Sequence, residues 1–359
     1  MAGTIAADPR LARMFRPLAI KAMTLPNRFV MPAMQRGWSK GGVPDDRLVD
    51  YYRARALGGV GLIIGESAAI DHPSATGQDA AVTLHGAAVP AWARIVDAVK
   101  QAGGHMLLQL WHEGAMRLED SGGPAPGAAT LSPSGLIWAG RANGRAATRG
   151  DLDEILEAYA RTAATAKRIG ADGVEVHGAH GFLLDQFCWN ETNIRDDGFG
   201  DGIAARFAFP AEVVRAIRAE VGEDFVIGWR FSQWKEVDFG ARVFADPGEL
   251  EQGLGILRAA GVDLFHASTR RFWEPEWPGS DLGVAGWASA LTDAPVIGIG
   301  SIGVRGTMFG SSPADEAIDP RTQFEELLRR FDRGDFALMA VGRALIADPD
   351  WVNKIRDGR

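Results

Sequence analysis

The residues Gly173-Val-Glu-Val-His177-Gly-Ala-His180 point to the fold class of this 359-residue chain. Apolar side chains alternate through the first half of the stretch as in a buried strand, and two imidazoles stand where that strand should end. Parallel α/β barrels carry their chemistry at the carboxyl ends of their strands. The stretch therefore predicts a barrel strand that ends in a pair of functional histidines, His177 and His180.

Seven other short apolar runs occur along the chain, and amphipathic segments separate them. The predicted strands cover residues 28–34, 61–70, 105–112, 173–180, 225–232, 264–269, 295–303 and 336–342. The predicted helices cover residues 45–57, 89–102, 151–169, 203–221, 247–260, 282–291, 322–332 and 351–355. Strands that are apolar on both faces and alternate eight times with helices predict a closed parallel (β/α)8 TIM barrel. A doubly wound α/β sheet is the alternative.

The whole chain, residues 1–359, is expected to form a single TIM-barrel domain, because no interdomain linker interrupts the repetition. Residues 1–27 are expected to form an N-terminal segment that covers the barrel bottom. Two long loops stand out: residues 113–148 follow the third strand, and residues 270–281 follow the sixth. Both would lie on the active-site face, and long loops in compact domains are usually functional.

The composition excludes several functional classes. The net charge is −8 without a block of Lys or Arg, which argues against nucleic-acid and anionic-membrane partners. No apolar run reaches the roughly 18 residues of a membrane span, and the first residues lack the apolar region of a signal peptide. The single cysteine, Cys188, excludes an intrachain disulfide and a cysteine-rich metal or iron–sulfur site. A cytoplasmic enzyme with a small-molecule substrate is expected.

A glycine-rich segment, Gly298-Ile-Gly300-Ser-Ile-Gly303, matches the G-x-G-x-x-G fingerprint of dinucleotide-binding domains. Such domains normally begin with the fingerprint, whereas only one strand is predicted after this one. At the end of a seventh barrel strand the glycines would instead bring backbone N–H groups to a phosphate. Val341-Gly342-Arg343 would add a guanidinium and a helix N-terminus. Tight-turn glycines and a surface arginine are the alternative.

Nine motifs in order along the chain carry a family resemblance: Met14-Phe-Arg-Pro17, Leu25-Pro-Asn27-Arg28, Tyr51-Tyr52, Gly58-Gly-Val-Gly61, Gln109-Leu-Trp-His112, His177-x-x-His180, Asp185-Gln186-Phe187, Arg230 and Val341-Gly342-Arg343. With them the chain resembles, from about residue 14 to residue 351, the old yellow enzyme family of FMN-dependent oxidoreductases. The resemblance implies non-covalent FMN that is reduced by NADPH or NADH. Hydride then passes from flavin N5 to the β-carbon of an alkene activated by a carbonyl or nitro group. A homodimer is a further expectation from the family.

The resemblance also implies roles for individual residues. Those expected to contact the cofactor are Ala33, Met34, Gln35, Ser67, Gln109, Arg230, Gly300, Ser301, Gly342 and Arg343. Those expected to line the substrate pocket are Trp111, Phe182 and Trp273. His177 and His180 would hydrogen-bond the activating oxygen of the substrate. No metal is expected, because the motif provides no third ligand beside the two histidines.

The chemistry of Gln109 and Arg230 agrees with these roles. The Gln109 amide offers one donor and one acceptor, which match the O4/N3–H edge of an isoalloxazine. An unpaired guanidinium at the end of the fifth strand would be costly, so Arg230 could face the N1–C2=O edge of the flavin. Other interpretations stay open: a polar core residue for Gln109, a salt bridge for Arg230, and a structural or metal-binding role for the histidines.

Phe182 stands where the family usually has the tyrosine that protonates the α-carbon of the substrate. The three tyrosines, Tyr51, Tyr52 and Tyr159, fall in predicted helices and offer no replacement. Either solvent or another side chain, for example His112, supplies the proton, or the reaction needs no protonation of carbon. A quinone or nitro reductase or a flavin-linked dehydrogenase would fit the second case.

Further alternatives and departures concern single residues. A flavin-free lyase would need a Schiff-base lysine, and only Lys235 follows a strand end closely enough. A metal hydrolase and a non-catalytic FMN-binding protein are also open. Gln35 replaces the Thr or Cys of the family. Arg270 and Arg271, after the sixth strand, could meet a substrate carboxylate or the phosphate of NAD(P)H, or lie in solvent.

Overall fold

The computed structural model describes residues 8–118, 123–303 and 319–359. In these ranges eight parallel strands form a closed barrel: β1 (Phe29–Met31), β2 (Leu62–Ala69), β3 (Met106–Trp111), β4 (Gly173–His180), β5 (Val226–Lys235), β6 (Leu264–Ser268), β7 (Val296–Ile299) and β8 (Leu338–Ala340). Each strand pairs with the next along the chain, and β8 pairs with β1 to close the ring. The predicted α/β barrel is confirmed, and the doubly wound alternative is wrong.

Helices alternate with the strands along the chain. Their bounds are α1 (Pro9–Met14), α2 (Arg47–Leu57), α3 (Val89–Gln101), α4 (Arg149–Arg168), α5 (Leu183–Cys188), α6 (Gly202–Arg206), α7 (Ala208–Val221), α8 (Pro247–Ala260), α9 (Val284–Leu291), α10 (Pro320–Arg333), α11 (Arg343–Ala347) and α12 (Trp351–Asp357). The predicted helix over residues 203–221 is divided at Phe207. Pro210 accounts for the break, because it has no N–H to donate to the Arg206 carbonyl and its ring crowds that group.

The long loops after β3 and β6 are present as predicted. The first carries a one-turn helix (Gly114–Met116), a parallel pair (Leu131–Ser132 with Arg145–Ala146) and a hairpin (Leu136–Trp138 with Arg141–Ala142). Residues 119–122 of this loop, residues 1–7 of the predicted N-terminal segment and residues 304–318 after β7 lie outside the described residues. The assignment of the whole chain to one domain stays a prediction. No helix in the described ranges has the length and apolar character needed to cross a membrane.

The barrel interior begins with an apolar layer near the amino-terminal ends of the strands. Alternate residues of a strand point to the same side, and these inward positions carry aliphatic side chains here. The residues that pack together are Val30, Leu62, Ile64, Leu107, Val226, Leu264, Ile297, Leu338 and Ala340. Ile20, Met23 and Leu25, from the hairpin Leu18–Ile20 with Met23–Leu25, pack against them. This set is called the basal layer below.

Candidate active site

A cavity of about 620 Å³ lies at the carboxyl ends of the strands. Thirteen of the fifteen residues predicted for the site line it: Ala33, Met34, Gln35, Ser67, Trp111, His177, His180, Phe182, Arg230, Gly300, Ser301, Gly342 and Arg343. Its size falls within the range of small-molecule sites, which are roughly 300–1,000 Å³. The structure therefore brings together residues from seven strand ends that are distant in the sequence.

A β-bulge in β4 brings His177 and His180 to the same side of the strand. Residues three apart in a regular strand point to opposite faces. Here the register against β5 shifts between Gly178 and His180, and His180 adopts a left-handed φ of 68°. Gly178 has no room for a side chain, since a Cβ there would lie 2.2 Å from Trp229 Cζ2. The two imidazole rings meet nearly at right angles, with centroids 5.0 Å apart.

Both imidazoles are neutral at physiological pH. Burial, with a further contribution from the positive charge of Arg230, holds the pKa of His177 and of His180 well below the ordinary value. A neutral imidazole keeps one N–H donor but has no extra proton to release. His177 Nδ1 is buried and has no hydrogen-bond partner among the described residues. The pair is therefore suited to donating hydrogen bonds to an acceptor in the cavity.

A second bulge, in β2, turns Ser67 into the barrel. The Ser67 hydroxyl donates to Gln109 Oε1 at 2.5 Å, and Gln109 Nε2 donates to Glu175 Oε1 at 2.6 Å. Glu175 Oε2 lies 2.7 Å from His266 Nδ1. Ser67, Gln109, Glu175 and His266 thus form a hydrogen-bonded chain across four strands, which is called the polar layer below. It lies between most of the basal layer and the cavity, although Ala340 of the basal layer also lines the cavity.

Gln109 is fully buried in this layer and does not line the cavity. Both ends of its amide are engaged, by Ser67 and by Glu175. These bonds agree with the interpretation of Gln109 as a polar core residue. A contact between Gln109 and a cofactor stays a prediction. Burial alone would raise the pKa of Glu175, but His266 and Arg230 lower it below its ordinary value, so the carboxylate is ionised at neutral pH.

Arg230 carries a buried positive charge beside the cavity. In the described ranges Nη2 donates to Ser268 Oγ at 3.2 Å, while Nε is buried and has no partner. Burial lowers the pKa of this guanidinium, although Glu175 and Glu236 oppose the effect, and an arginine stays protonated in proteins. The alternative that Arg230 forms a structural salt bridge is wrong for the described residues, because none of their carboxylates pairs with it. The free N–H calls for an acceptor that the cavity can hold.

The glycine-rich segment lies at the end of β7, next to the end of β8. Gly300 has φ 147°, and a Cβ there would lie 2.7 Å from Phe272 N. Ser301 has φ 56°, and its hydroxyl donates to the carbonyl of Arg270 at 2.9 Å. Arg343 is the first residue of α11, which follows the neighbouring strand β8, and it lines the same cavity. The segment therefore closes a barrel strand, and the Rossmann interpretation is wrong.

Phe182 packs between two other predicted site residues. Its ring centroid lies 5.1 Å from that of His177 and 5.3 Å from that of Trp111. His112 does not replace the missing hydroxyl: Nδ1 accepts from the Gly114 N–H at 2.9 Å and Nε2 lies 2.8 Å from Ser74 Oγ. It is buried outside the cavity lining. The suggestion that His112 supplies a proton is therefore wrong.

Three other sequence-based suggestions need correction or refinement. Trp273 does not line the cavity; its ring packs on Phe272, with centroids 5.2 Å apart. Lys235 is fully buried, and its ammonium pairs with Asp185 at 2.6 Å, so it cannot serve as a Schiff-base lysine. Arg270 does line the cavity, with Cζ 4.3 Å from the Phe239 ring centroid.

Several cavity residues were not anticipated from the sequence: Arg36, Glu113, Trp234, Glu236, Phe239 and Ser268. A signal existed for Ser268, because it stands two positions after the inward-facing His266 on β6 and must share its side of the strand. Trp234 was missed because β5 extends to Lys235, three residues beyond its predicted end. Its ring stacks on His180 with centroids 4.4 Å apart. Within the described ranges no cluster of His, Cys, Asp and Glu could hold a metal ion.

The chain matches a family model described as the NADH:flavin oxidoreductase / NADH oxidase family over residues 13–301. It is 32% identical over 353 residues to the NADH oxidase of Thermoanaerobacter brockii, which covers 94% of this chain and 50% of that protein. It is 33% identical over 365 residues to 12-oxophytodienoate reductase 7 of Oryza sativa subsp. japonica, which covers 96% of this chain and 88% of that protein. The chain thus spans half the length of the first relative.

A solved structure of morphinone reductase in complex with tetrahydroNAD superposes on the chain with a TM-score of 0.80 and 28% identity, covering 96% of this chain and 90% of the other. By the names they carry, the matched family is one of flavin oxidoreductases and these relatives are oxidoreductases. The family match extends over most of the chain, and the chain belongs to the NADH:flavin oxidoreductase / NADH oxidase family, which includes the old yellow enzymes. The cofactor of this family is FMN.

Two features of the cavity fit FMN. Arg230 Nε is a buried donor that lacks a partner among the described residues, and a flavin ring offers acceptors along one edge. The ends of β7 and β8 also bring the backbone of Gly300 and Ser301 and the cationic Arg343 to the lining of the same cavity. Bare backbone N–H groups with an arginine are typical of phosphate sites after the last strands of such barrels.

Proposed function

We propose that the chain reduces alkenes that are activated by a carbonyl or nitro group. The observation that carries this proposal is the neutral pair of His177 and His180, which lines the same cavity as Arg230, whose Nε has no partner among the described residues. The name of the plant relative, a reductase of 12-oxophytodienoate, supports the same class of reaction. The physiological acceptor and the choice between NADH and NADPH are left to experiment.

The cofactor would be held by the cavity residues predicted for it. Arg343, with the backbone at Gly300, Ser301 and Gly342, would bind the phosphate, and Arg230 would donate to the flavin. Ala33, Met34, Gln35 and Ser67, which line the same cavity, would complete the set. The chemistry that FMN supplies when bound is hydride transfer from NAD(P)H to the acceptor.

The two histidines would polarise the acceptor. An N–H that donates to the carbonyl or nitro oxygen withdraws electron density from the conjugated double bond and stabilises the negative charge that develops on that oxygen. The bulge sets the backbone of both histidines, and the Ser268 hydroxyl and the Trp234 ring would orient the His180 imidazole before substrate arrives. Trp111, Phe182 and Trp234 form an apolar wall around them, and this wall strengthens the hydrogen bonds by excluding water.

The proton that completes alkene reduction would come from solvent. Phe182 has no hydroxyl, and the neutral histidines are poor acids at physiological pH. Phe239 lines the cavity and is 40% exposed, so the cavity opens to water beside it. A protonation by water is slow compared with a positioned acid, which typically contributes about 10²–10⁴-fold.

A quinone or nitro reductase is the second candidate, and Phe182 is the observation in its favour. These acceptors take hydride or electrons without protonation of carbon, so the missing hydroxyl would cost nothing. The same cavity and the same histidine pair would bind their oxygen atoms. The two candidates therefore differ in the acceptor and not in the site.

An anaerobic experiment on the purified protein separates the candidates. NADPH, and NADH in parallel, should bleach the visible absorption of bound flavin, and 2-cyclohexenone should restore it if the protein is an alkene reductase. Recovery with a quinone or a nitro compound but not with the enone would establish the second candidate instead. Protein that binds no FMN after FMN is added would overturn both.

A further inference from the structure

We propose that Ser268 is a positioning residue that selects the tautomer of His180 and so presents its N–H to the substrate. The inference rests on the proposed function, because it concerns the tautomer of one of the two histidines that would bind the acceptor. Ser268 is the last residue of β6, points into the barrel, and is 2% exposed. It lies on a different strand from His180 and was not among the residues predicted for the site.

The Ser268 hydroxyl stands between a cation and an imidazole. Its Oγ lies 3.2 Å from Arg230 Nη2 and 2.8 Å from His180 Nε2. A guanidinium can only donate hydrogen bonds, so Ser268 Oγ accepts from Arg230. The serine proton is then left for a different partner, and His180 Nε2 is the other group in reach among the described residues.

This arrangement determines which nitrogen of His180 carries hydrogen. If Ser268 donates to Nε2, that nitrogen is the acceptor of the neutral imidazole, and hydrogen must sit on Nδ1. The opposite tautomer would have Oγ accept from both Arg230 and His180 and would leave the serine proton without a partner among the described residues. Leaving a buried donor unsatisfied is costly. Nδ1 makes no hydrogen bond within the described residues, so its N–H is left for the cavity that His180 lines.

The same serine also anchors the ring that stacks on His180. Trp234 Nε1 donates to the backbone carbonyl of Ser268 at 3.1 Å, and the Trp234 and His180 rings stack at an interplanar angle of 27°. Ser268 therefore contributes two separate contacts: its carbonyl places the indole that holds the imidazole plane, and its hydroxyl sets the proton on the imidazole. A substitution to alanine removes the second contact and keeps the first.

Two substitutions at this position test the proposal. Ser268→Ala deletes the hydroxyl, whereas Ser268→Thr keeps it. The matched control is Ser289→Ala, because the Ser289 hydroxyl also bonds across the fold, to the Gly334 carbonyl at 2.9 Å, but lies outside the cavity lining. All four proteins would be studied with FMN bound.

The first readout is the tautomer of His180, taken from ¹⁵N NMR of histidine-labelled protein, with His180→Asn used to assign its signals. We expect the wild type and Ser268→Thr to carry hydrogen on Nδ1 of His180, and Ser268→Ala to shift toward the Nε2 tautomer. The second readout is re-oxidation of the reduced protein by 2-cyclohexenone. Its second-order rate constant should fall roughly tenfold in Ser268→Ala, the size of one lost hydrogen bond, and Ser289→Ala should match the wild type.

Ser268→Ala protein that keeps the Nδ1 tautomer and the wild-type rate would overturn the proposal. The same holds if the wild type itself carries hydrogen on Nε2. A failure of the proposed function would look different: the wild type would not be re-oxidised by the enone, while the NMR spectrum would still report the tautomer of His180 and its response to Ser268→Ala.

Discussion

The basal layer and the cavity belong to the same barrel, although β4 contributes no side chain to the basal layer, and they differ in how their polar groups are hydrogen-bonded. In the basal layer, aliphatic residues such as Leu264 and Ile297 pack against one another and against the N-terminal hairpin. At the cavity, His177 Nδ1 and Arg230 Nε are buried donors without partners in the described ranges. Buried polar groups are normally hydrogen-bonded. We therefore infer that the basal layer stabilises the fold, whereas the cavity is the part of the barrel suited to binding a ligand.

The polar layer is the boundary between these two regions. Ser67, Gln109, Glu175 and His266 bond mainly to one another, which lets polar side chains sit directly above an aliphatic core. Among the four side chains of the polar layer, only His266 has a buried polar atom, Nε2, that lacks a hydrogen-bond partner in the described residues. The contrast predicts that substitutions below this boundary change stability, while substitutions above it change activity.

The largest effect is expected at the histidine pair. His177→Leu should slow re-oxidation by 2-cyclohexenone by about 10²–10³-fold, as the loss of one preorganised donor to a developing oxyanion does. Stability should hold, because His177 Nδ1 has no partner in the described protein and the substitution strands no other group. Stopped-flow absorbance would give the rate and a thermal melt the stability. A rate within threefold of the wild type would remove His177 from the proposed mechanism.

The opposite pattern is expected in the basal layer. Leu264 is 1% exposed and packs among the aliphatic residues there. Leu264→Ala should lower the free energy of unfolding by about 3 kcal/mol, through lost burial and the cavity left behind, and leave the enone rate unchanged. Urea unfolding of the FMN-bound protein, with the same stopped-flow assay, checks both halves. A loss of activity without a loss of stability would contradict the division between the two regions.

Phe182 lines the cavity, and a substitution there is expected to increase activity. Phe182→Tyr should speed re-oxidation by 2-cyclohexenone roughly tenfold, less than the 10²–10⁴ of a fully positioned acid, because the ring position is set by packing on His177 and Trp111. Re-oxidation by a quinone needs no carbon protonation and serves as the control that should not change. An unchanged enone rate would show that proton supply does not limit the reaction.

Glu175 belongs to the polar layer, and its role can be tested through the pH dependence of the free energy of unfolding. His266 and Arg230 hold the folded-state pKa of Glu175 below its ordinary value of 4.5. Its ionised form therefore contributes stability above that value, and this contribution is lost as the pH falls through the folded-state pKa. Glu175→Gln should lower the free energy of unfolding by about 1 kcal/mol at pH 7 and flatten its decline below pH 4.5. The exposed Glu251→Gln serves as the control, and an unchanged acid limb in Glu175→Gln would contradict the assignment.

Regular alternation accounts for what the sequence predicted well. The strands and helices follow from apolar periodicity, and strand ends place most of the site residues at one face. His180 and Ser67 were predicted from the family resemblance and not from periodicity, because no sequence pattern announces the bulges that bring them inward. Loop residues fail for a related reason, because a loop has no period that fixes the direction of a side chain. Trp273, in the loop after β6, was wrongly assigned to the pocket for this reason, whereas Trp234 was overlooked because β5 extends past its predicted end.

These two tryptophans give the smallest expected effect and the finest test of the comparison. Trp273→Phe should change the enone rate by less than twofold, because its ring packs on Phe272 outside the cavity lining. Trp234→Phe should slow the reaction about threefold, since it removes the indole bond to Ser268 and weakens the stacking on His180, each a contact of modest energy. The two substitutions delete the same atoms, so each controls for the other in size and hydrophobicity. Equal rates would mean that lining the cavity does not by itself decide which aromatic residues the reaction depends on.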